Sequence, residues 1–197
     1  MKNKIDLTIL STIFPRSKGD YSAAFLGRMV SSLSKLENIN INVIAPSSKT
    51  SLLFENWDSV KINRFKYWYK QNKQKVAYGD GKGTMLNLKS SFISIIQLPF
   101  YFLSFFRSVI KIWSHTTIFH CQWSVSAIFP IILNHMPFFV NRPIIVTFRG
   151  SDLRMLPGWF NKFIIKNSAA LTYPSPLKTI NRYKEKFGCD IIKYVNN

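Results

Sequence analysis

Three stretches combine side chains able to bind polar ligands with backbone features that would hold them at a turn. In TFRGSD, Thr147 to Asp152, the apolar run Pro143 to Val146 gives way to an arginine, a glycine and an acid. Arg149 offers a planar fork that grips a carboxylate or phosphate through two parallel hydrogen bonds. Gly150 permits a tight or left-handed turn. Ser151 adds a hydroxyl, and Asp152 can cap the following segment or accept sugar hydroxyls. A purely structural Arg149–Asp152 pair is the alternative. In FHCQW, His120 and Gln122 stand two apart and share one side of an extended strand. Such a pair can hydrogen-bond sugar or phosphate oxygens, with Trp123 beside it, although His120 alone also reads as a satisfied core histidine. In STIFPRSKGDYSAAF, Gly19 and Asp20 follow a strand end and a proline turn and precede a helical pattern. Backbone N–H groups at a helix start suit an anion, and a plain strand-to-helix turn would look the same.

Other patterns fail. GDGKGT, Gly79 to Thr84, has no Ser or Thr directly after Gly-Lys and no strand immediately before it, so it is not a phosphate loop. No two aspartates stand two apart, which excludes an Asp-x-Asp metal clamp. His115, His120 and His135 offer no zinc spacing, and no G-x-S-x-G elbow occurs. No metal site is expected. Cys121 and Cys189 form no metal or redox spacing, and they read as reduced and structural.

These groups need a scaffold, and the apolar periodicity supplies one. Strands are predicted at Ile5–Leu10, Ile39–Ala45, Val60–Tyr67, Thr116–His120, Ile144–Phe148, Ala169–Tyr173 and Ile191–Val195. Helical spacing joins Tyr21, Phe25 and Met29 with Leu26, Val30 and Leu33, capped by Asp20. A second helix is expected from Pro99, in its first turn, to Trp113, with Phe102, Phe106, Val109 and Trp113 on one face. Further helices are expected around Val125–Leu133, Trp159–Lys166 and Leu177–Phe187, and residues 68 to 87 read as a loop. Alternating β and α segments with uniformly apolar inner strands predict one domain over residues 1–197. It is a Rossmann-like α/β fold, with a parallel sheet covered on both faces. All three candidate stretches fall at strand carboxyl ends, where open parallel sheets bind ligands.

The chain has 197 residues, of which 47% are hydrophobic and 18% charged, a globular composition rather than a disordered one. Its 27 Lys and Arg against 9 Asp and Glu give a formal charge of +18. That field attracts polyanions, either nucleic acid or an acidic membrane surface, although AT-rich coding sequence also enriches lysine. Lys66, Lys70, Lys73 and Lys75, with Lys61 and Arg64, interleave with Phe65, Tyr67, Trp68 and Tyr69. Lysines near an anionic leaflet contribute about 1 kcal/mol each, and aromatic rings suit the headgroup layer. Lys66, Trp68, Lys70, Lys73 and Lys75 are therefore the expected membrane contacts. No run of apolar residues is long and unbroken enough to predict a spanning helix, and the N-terminus reads as a strand, not a signal peptide. The expected location is cytoplasmic, peripheral on the inner face of the plasma membrane. A nucleic-acid-binding module is the competing class. It is disfavoured because the basic residues are spread over several segments without an RNA-recognition or KH signature.

Taken together, the stretches resemble the N-terminal half of family 4 glycosyltransferases, the retaining GT-B enzymes. FPRSKGD looks like the family's opening strand and glycine loop. VKINRFKYWYKQNKQKVAYGDGKGTMLNL and IQLPFYFLSFF are similar to consecutive stretches of one bacterial polysaccharide branch. FHCQW resembles iHaHW, TFRGSD resembles T.hGsD, and IIKYVNN resembles the strand before the interdomain linker. Two positions depart: the family's second histidine is Gln122 here, and Ser22-Ala23 replaces a glycine common in the first helix turn. The resemblance implies transfer of a hexose, with retention, from a nucleotide sugar to a polysaccharide or lipid-linked acceptor. In it Gly19 and Asp20 border the donor phosphates, and His120 and Gln122 line the transferred sugar. Trp123, Arg149, Gly150, Ser151 and Asp152 bound the substrate cleft. The donor-binding half belongs to a second domain that this sequence is expected to lack. A separate donor-binding domain or chain, a non-catalytic subunit and an inactive truncated remnant are thus alternative expectations. No cofactor beyond the nucleotide-sugar donor of the complete enzyme is implied.

Overall fold

The computed structural model describes residues 4–78, 84–149, 152, 155–173, 185 and 192–194. The helix expected over Leu177–Phe187, apart from Glu185, lies outside the described residues, as do Gly150, Ser151 and Cys189. The chain divides into two compact units, residues 1–116 and 117–197.

In the first unit, β1 (Ile5–Ser11), β2 (Ile39–Pro46), β3 (Phe54–Trp57) and β4 (Val60–Phe65) form the order β3-β4-β2-β1. The β1–β2 pairing is parallel from Ile5 opposite Ile39 to Leu10 opposite Ile44, and β2–β4 is parallel as well. Leu7 through Ser11 are buried without alternation, because a parallel strand in an α/β fold is covered on both faces. β3 is not among the predicted strands and pairs antiparallel with β4, so this sheet is mixed. Its sequence, Phe-Glu-Asn-Trp, is too short and polar to stand out. Pairing is secured by Arg64 on β4, whose guanidinium is fully buried and bonds Glu55 on β3. Arg64 also donates to the carbonyls of Leu52 at 3.0 Å and Pro15 at 2.8 Å.

Helix α1 (Ala24–Leu33) starts four residues later than Asp20, after Ala23 in a left-handed conformation at φ 55°. Leu26 and Val30 form its buried face, whereas Tyr21 is exposed and Phe25 partly so. Asp20 is therefore not its cap. The aspartate holds the preceding turn instead, accepting from the backbone N–H of Arg16 and Ser22.

The expected loop after β4 contains a 3-10 turn at Gln71–Lys73 and leads into α2 (Thr84–Ser90). Helix α3 (Phe92–Ile112) begins well before Pro99, which lies inside it on the solvent side. There the carbonyl that loses its helical partner can bond water, so the proline is tolerated. The buried face is also rotated from expectation: Ser94, Gln97, Tyr101, Phe105 and Val109 point inward. Gln97 accepts from Lys75 N–H and donates to Lys73 C=O, both at 2.8 Å, and Ser94 donates to Lys75 C=O. Gln74 accepts from Tyr67 N–H and donates to Ser47 C=O. The Tyr67 hydroxyl accepts from Val76 and Ala77 N–H, and Asn87 donates to Val76 C=O. Polar side chains here stand in for the missing strand ladder of a buried loop.

In the second unit, β5 (Ile118–Gln122), β6 (Ile144–Thr147), β7 (Ala170–Tyr173) and β8 (Ile192–Tyr194) are consecutive and parallel. Helix α4 (Ser124–Asn134) packs on β5 and β6, and α5 (Gly158–Lys166) packs on α4. Strand–helix–strand order with parallel neighbouring strands makes this a Rossmann-like α/β fold, the expected class.

Two substitutions check the buried polar contacts. Glu55→Gln leaves Arg64 buried without its counter-charge, and a loss of about 3 kcal/mol is expected in urea unfolding. Gln97→Leu adds apolar surface yet orphans a buried donor and a buried acceptor, so it should destabilise by about 2–4 kcal/mol. A neutral or stabilising result would show that the position serves only packing.

Candidate functional site

The second unit gathers its polar residues at the carboxyl ends of three adjacent strands. Register places Gln122 opposite Thr147 and Thr147 opposite Thr172, one transverse row across β5, β6 and β7. The Thr147 and Thr172 hydroxyls are 2.6 Å apart. His120 Nε2 lies 2.8 Å from Thr147 Oγ1 and 2.9 Å from Gln122 Nε2. Arg149 Nη2 donates to Gln122 Oε1 at 2.6 Å. His120, Gln122 and Arg149 are thereby brought together, with Thr147 as the hub.

The arginine sets the direction of the whole network. A guanidinium only donates, so the atom of Gln122 that faces it must be the oxygen, and the amide N–H group then faces His120. His120 Nε2 must accept that hydrogen bond, which puts the single proton of the neutral ring on Nδ1. Burial, and secondarily the charge of Arg149, push the His120 pKa down to about 4. Near neutrality the ring is an uncharged donor through Nδ1 and a poor proton acceptor. Gln122 is 3% exposed and is engaged on both amide atoms, so it orients His120.

Trp123 follows at φ 85° and ψ 135°, a positive-φ backbone between β5 and α4 that non-glycine residues rarely adopt. Its backbone N–H donates to Thr147 C=O at 3.0 Å. Asp152, fully buried, accepts from Arg149 N–H at 2.9 Å and from Ser124 N–H, the first residue of α4, at 3.3 Å. The acid of TFRGSD thus fills the anion position at a helix start and fastens the turn after β6. The sequence leaves Asp152 either capping the segment after it or accepting sugar hydroxyls; its carboxylate instead meets the start of α4, a helix that precedes it in the chain.

The first unit holds the other candidate loop. Gly19 has φ 93°, where glycine avoids the strain of a side chain. Asp20 is clamped by Arg16 through Nε at 2.7 Å and Nη2 at 2.9 Å. Those bonds outweigh partial burial and hold its carboxyl far below the usual carboxylate range. Asp20 N–H is itself bonded to Ser17 C=O. The anion expected at this turn is in effect the protein's own carboxylate. A cleft of about 520 Å³ adjoins the loop, lined by Lys18, Gly19, Arg28, Trp57 and Asp58 among others. Tyr78 anchors the loop's start, accepting from Phe14 N–H at 2.9 Å and donating to Phe14 C=O at 2.6 Å.

Of the expected membrane contacts, Lys66, Lys70 and Lys73 are exposed, and Trp68 and Lys75 are half-buried. Arg64 and Tyr67, in the same basic-aromatic stretch, are buried. Thr147 and Thr172 were not among the candidate residues. Threonine is an ordinary strand residue, and only cross-strand register sets these two beside His120. No group of three or more His, Cys, Asp or Glu able to hold a metal occurs among the described residues.

No protein-family model and no curated protein matches the sequence. Among solved structures the chain is similar to sucrose-phosphate synthase from Thermosynechococcus elongatus. The TM-score is 0.63 at 9% identity, over 98% of this chain and 48% of that one. A second structure of the same synthase matches with a TM-score of 0.62 at 11% identity, over 98% of this chain and 88% of that one. This chain therefore spans about half the length of the first synthase chain. At such identities the likeness establishes the fold.

The His120 network predicts a pH dependence. In the unfolded chain the imidazole titrates near about 6.5, whereas in the fold it titrates near about 4. The unfolded state therefore binds the extra proton first, and stability should fall as pH drops through that window. Nitrogen-15 NMR of the ring should show a neutral Nδ1–H tautomer down to about pH 4. Arg149→Met should raise the value only part of the way, because burial is the larger cause. A ring titrating near its ordinary value would contradict the network.

Proposed function

We propose that this chain forms the acceptor-side half of a glycosyltransferase. The complete reaction would move a hexose from a nucleotide sugar, with retention, to a cell-surface polysaccharide or lipid-linked glycan. The observation that carries the reading is the row of Gln122, Thr147 and Thr172, with His120 and Arg149, at the carboxyl ends of parallel strands. That edge is where a Rossmann-like sheet binds its ligands. The fold shared with sucrose-phosphate synthase supports the same reading, as do the stretches FPRSKGD, FHCQW and TFRGSD.

In this scheme His120 meets the sugar through Nδ1–H, the ring atom that makes no hydrogen bond to the described residues. An imidazole with so low a pKa is suited to holding a hydroxyl in place, not to removing its proton. Gln122, Thr147 and Arg149 act through it as positioning residues. Retention would then rely on the donor-binding half for leaving-group stabilisation, so the isolated chain should bind an acceptor without turning over donor. An isolated half-site forfeits the rate gained by holding two reactants together. A non-catalytic subunit and an inactive remnant share this expectation, and adding a separate donor-binding domain distinguishes them.

The test has two parts. Titrating the purified chain with short oligosaccharides should shift the His120 Nδ1 resonance, and His120→Ala should weaken binding about tenfold, the worth of one buried hydrogen bond. Labelled transfer from nucleotide hexoses to a membrane lipid fraction should be absent with these 197 residues alone and should appear when a donor-binding domain is supplied. Robust transfer by the chain alone would overturn the half-site reading. No oligosaccharide response at His120, with salt-sensitive retention of oligonucleotides instead, would favour the nucleic-acid class.

A further inference from the structure

Helix α3 carries large apolar side chains on its solvent face as well as on its buried face. Its polar Ser94 and Gln97 point inward to loop backbone, while large apolar side chains point outward. Phe92 is 76% exposed, Ile96 46%, Phe100 49% and Leu103 65%. Spacings of four, four and three residues put these four on one stripe, about 17 Å long at 1.5 Å per residue. Water-soluble surfaces rarely carry an apolar strip this continuous without a partner.

The surroundings of the stripe say what the partner is. The Trp68 ring stands edge-on to Phe100, with centroids 5.4 Å apart, and Tyr69 beside it is 68% exposed. Exposed Lys66 and Lys70 flank these rings, and exposed Arg107 and Lys111 continue the stripe's carboxyl end. From residue 59 to 116 the sequence holds ten Lys and Arg against one acid, Asp80. We propose that the outer face of α3, with the Lys66–Lys70 segment, is a docking surface for an anionic lipid bilayer. The helix would lie in the plane of the interface, its apolar stripe in the acyl boundary and Trp68 and Tyr69 at headgroup level. Its basic border would neutralise lipid charge.

Charge argues against a second copy of this chain, since two such faces would bring like-charged borders together. Packing argues against a membrane span, although Phe92–His115 is long and apolar enough to cross one. Crossing would pull Tyr101, Phe105 and Val109 out of the core and leave Gln97 and its loop partners unbonded in hydrocarbon. This inference needs only the surface of the first unit and stands or falls apart from the sugar-site reading.

Vesicle co-sedimentation with Trp68 fluorescence tests it. Wild-type protein should bind phosphatidylcholine vesicles containing about 30% phosphatidylglycerol, with a blue shift, and bind pure phosphatidylcholine at least about tenfold more weakly. Raising salt from about 0.1 M to about 0.5 M should release it. Phe100→Asp with Leu103→Asp should abolish binding. Arg107→Glu with Lys111→Glu, which leaves the apolar packing untouched, should weaken it about tenfold. Circular dichroism confirms that each variant is folded. Equal binding by wild type and variants would overturn the proposal, as would no binding by wild type. It would be overturned equally by salt-resistant, carbonate-resistant insertion into both vesicle types. A wild-type dimer dissolved by the Asp variants, without vesicle binding, would assign the face to a second copy instead.

Discussion

Irregular backbone buried beside the sheet must have its hydrogen bonds made, and most of this structure follows from how that is done. After β4, over residues 66–77, exposed residues alternate with buried Tyr67, Gln74, Val76 and Ala77, in a segment that forms no strand. Gln74, Gln97, Tyr67, Ser94 and Asn87 supply the missing donors and acceptors. Each is a polar side chain spent on main chain in a place that burial alone would give to leucine. Because Gln97 and Ser94 must face the loop, α3 cannot present its most apolar side to the core. Phe100 and Leu103 are left outside as a consequence of that rotation.

The same constraint operates in the second unit with different residues. Arg149 N–H, just after β6, and Ser124 N–H, the first of α4, both need an acceptor away from water. One carboxylate, Asp152, satisfies them together. That bond sets where Arg149 leaves the strand. Arg149 then fixes the amide of Gln122, and Gln122 fixes the proton of His120. The orientation of the imidazole is thus set through three successive contacts that begin at Asp152.

Charge is distributed according to the same logic. Arg64, Asp20 and Asp152 sit in positions where their partners are built in, and they serve the fold. Among the described residues, exposed Lys66, Lys70, Lys73, Arg107 and Lys111 lie on loop and helix surface, where they shape the field around the molecule. A net charge read from composition cannot separate these two populations.

Much of the fold was legible in the sequence. The strands centred on Ile9, Val43, Ile62, Val146 and Leu171, and the helices around Leu26 and Ile131, follow from runs of apolar residues whose spacing is a local property. So did the grouping of His120 with Gln122, because two residues apart on a strand is a fixed geometry. What the sequence could not decide was everything that depends on a partner far along the chain. β3 exists because Glu55 meets Arg64, and α3 turns as it does because Gln97 meets Lys73 and Lys75. Thr147 became the centre of the polar row only when β6 took its register against β5 and β7. Periodicity states which residues share a face, but which face is inward is a question of what must be bonded there. Only tertiary structure supplies the answer, because a hydrogen-bonding group is satisfied by proximity in space and not by position in sequence.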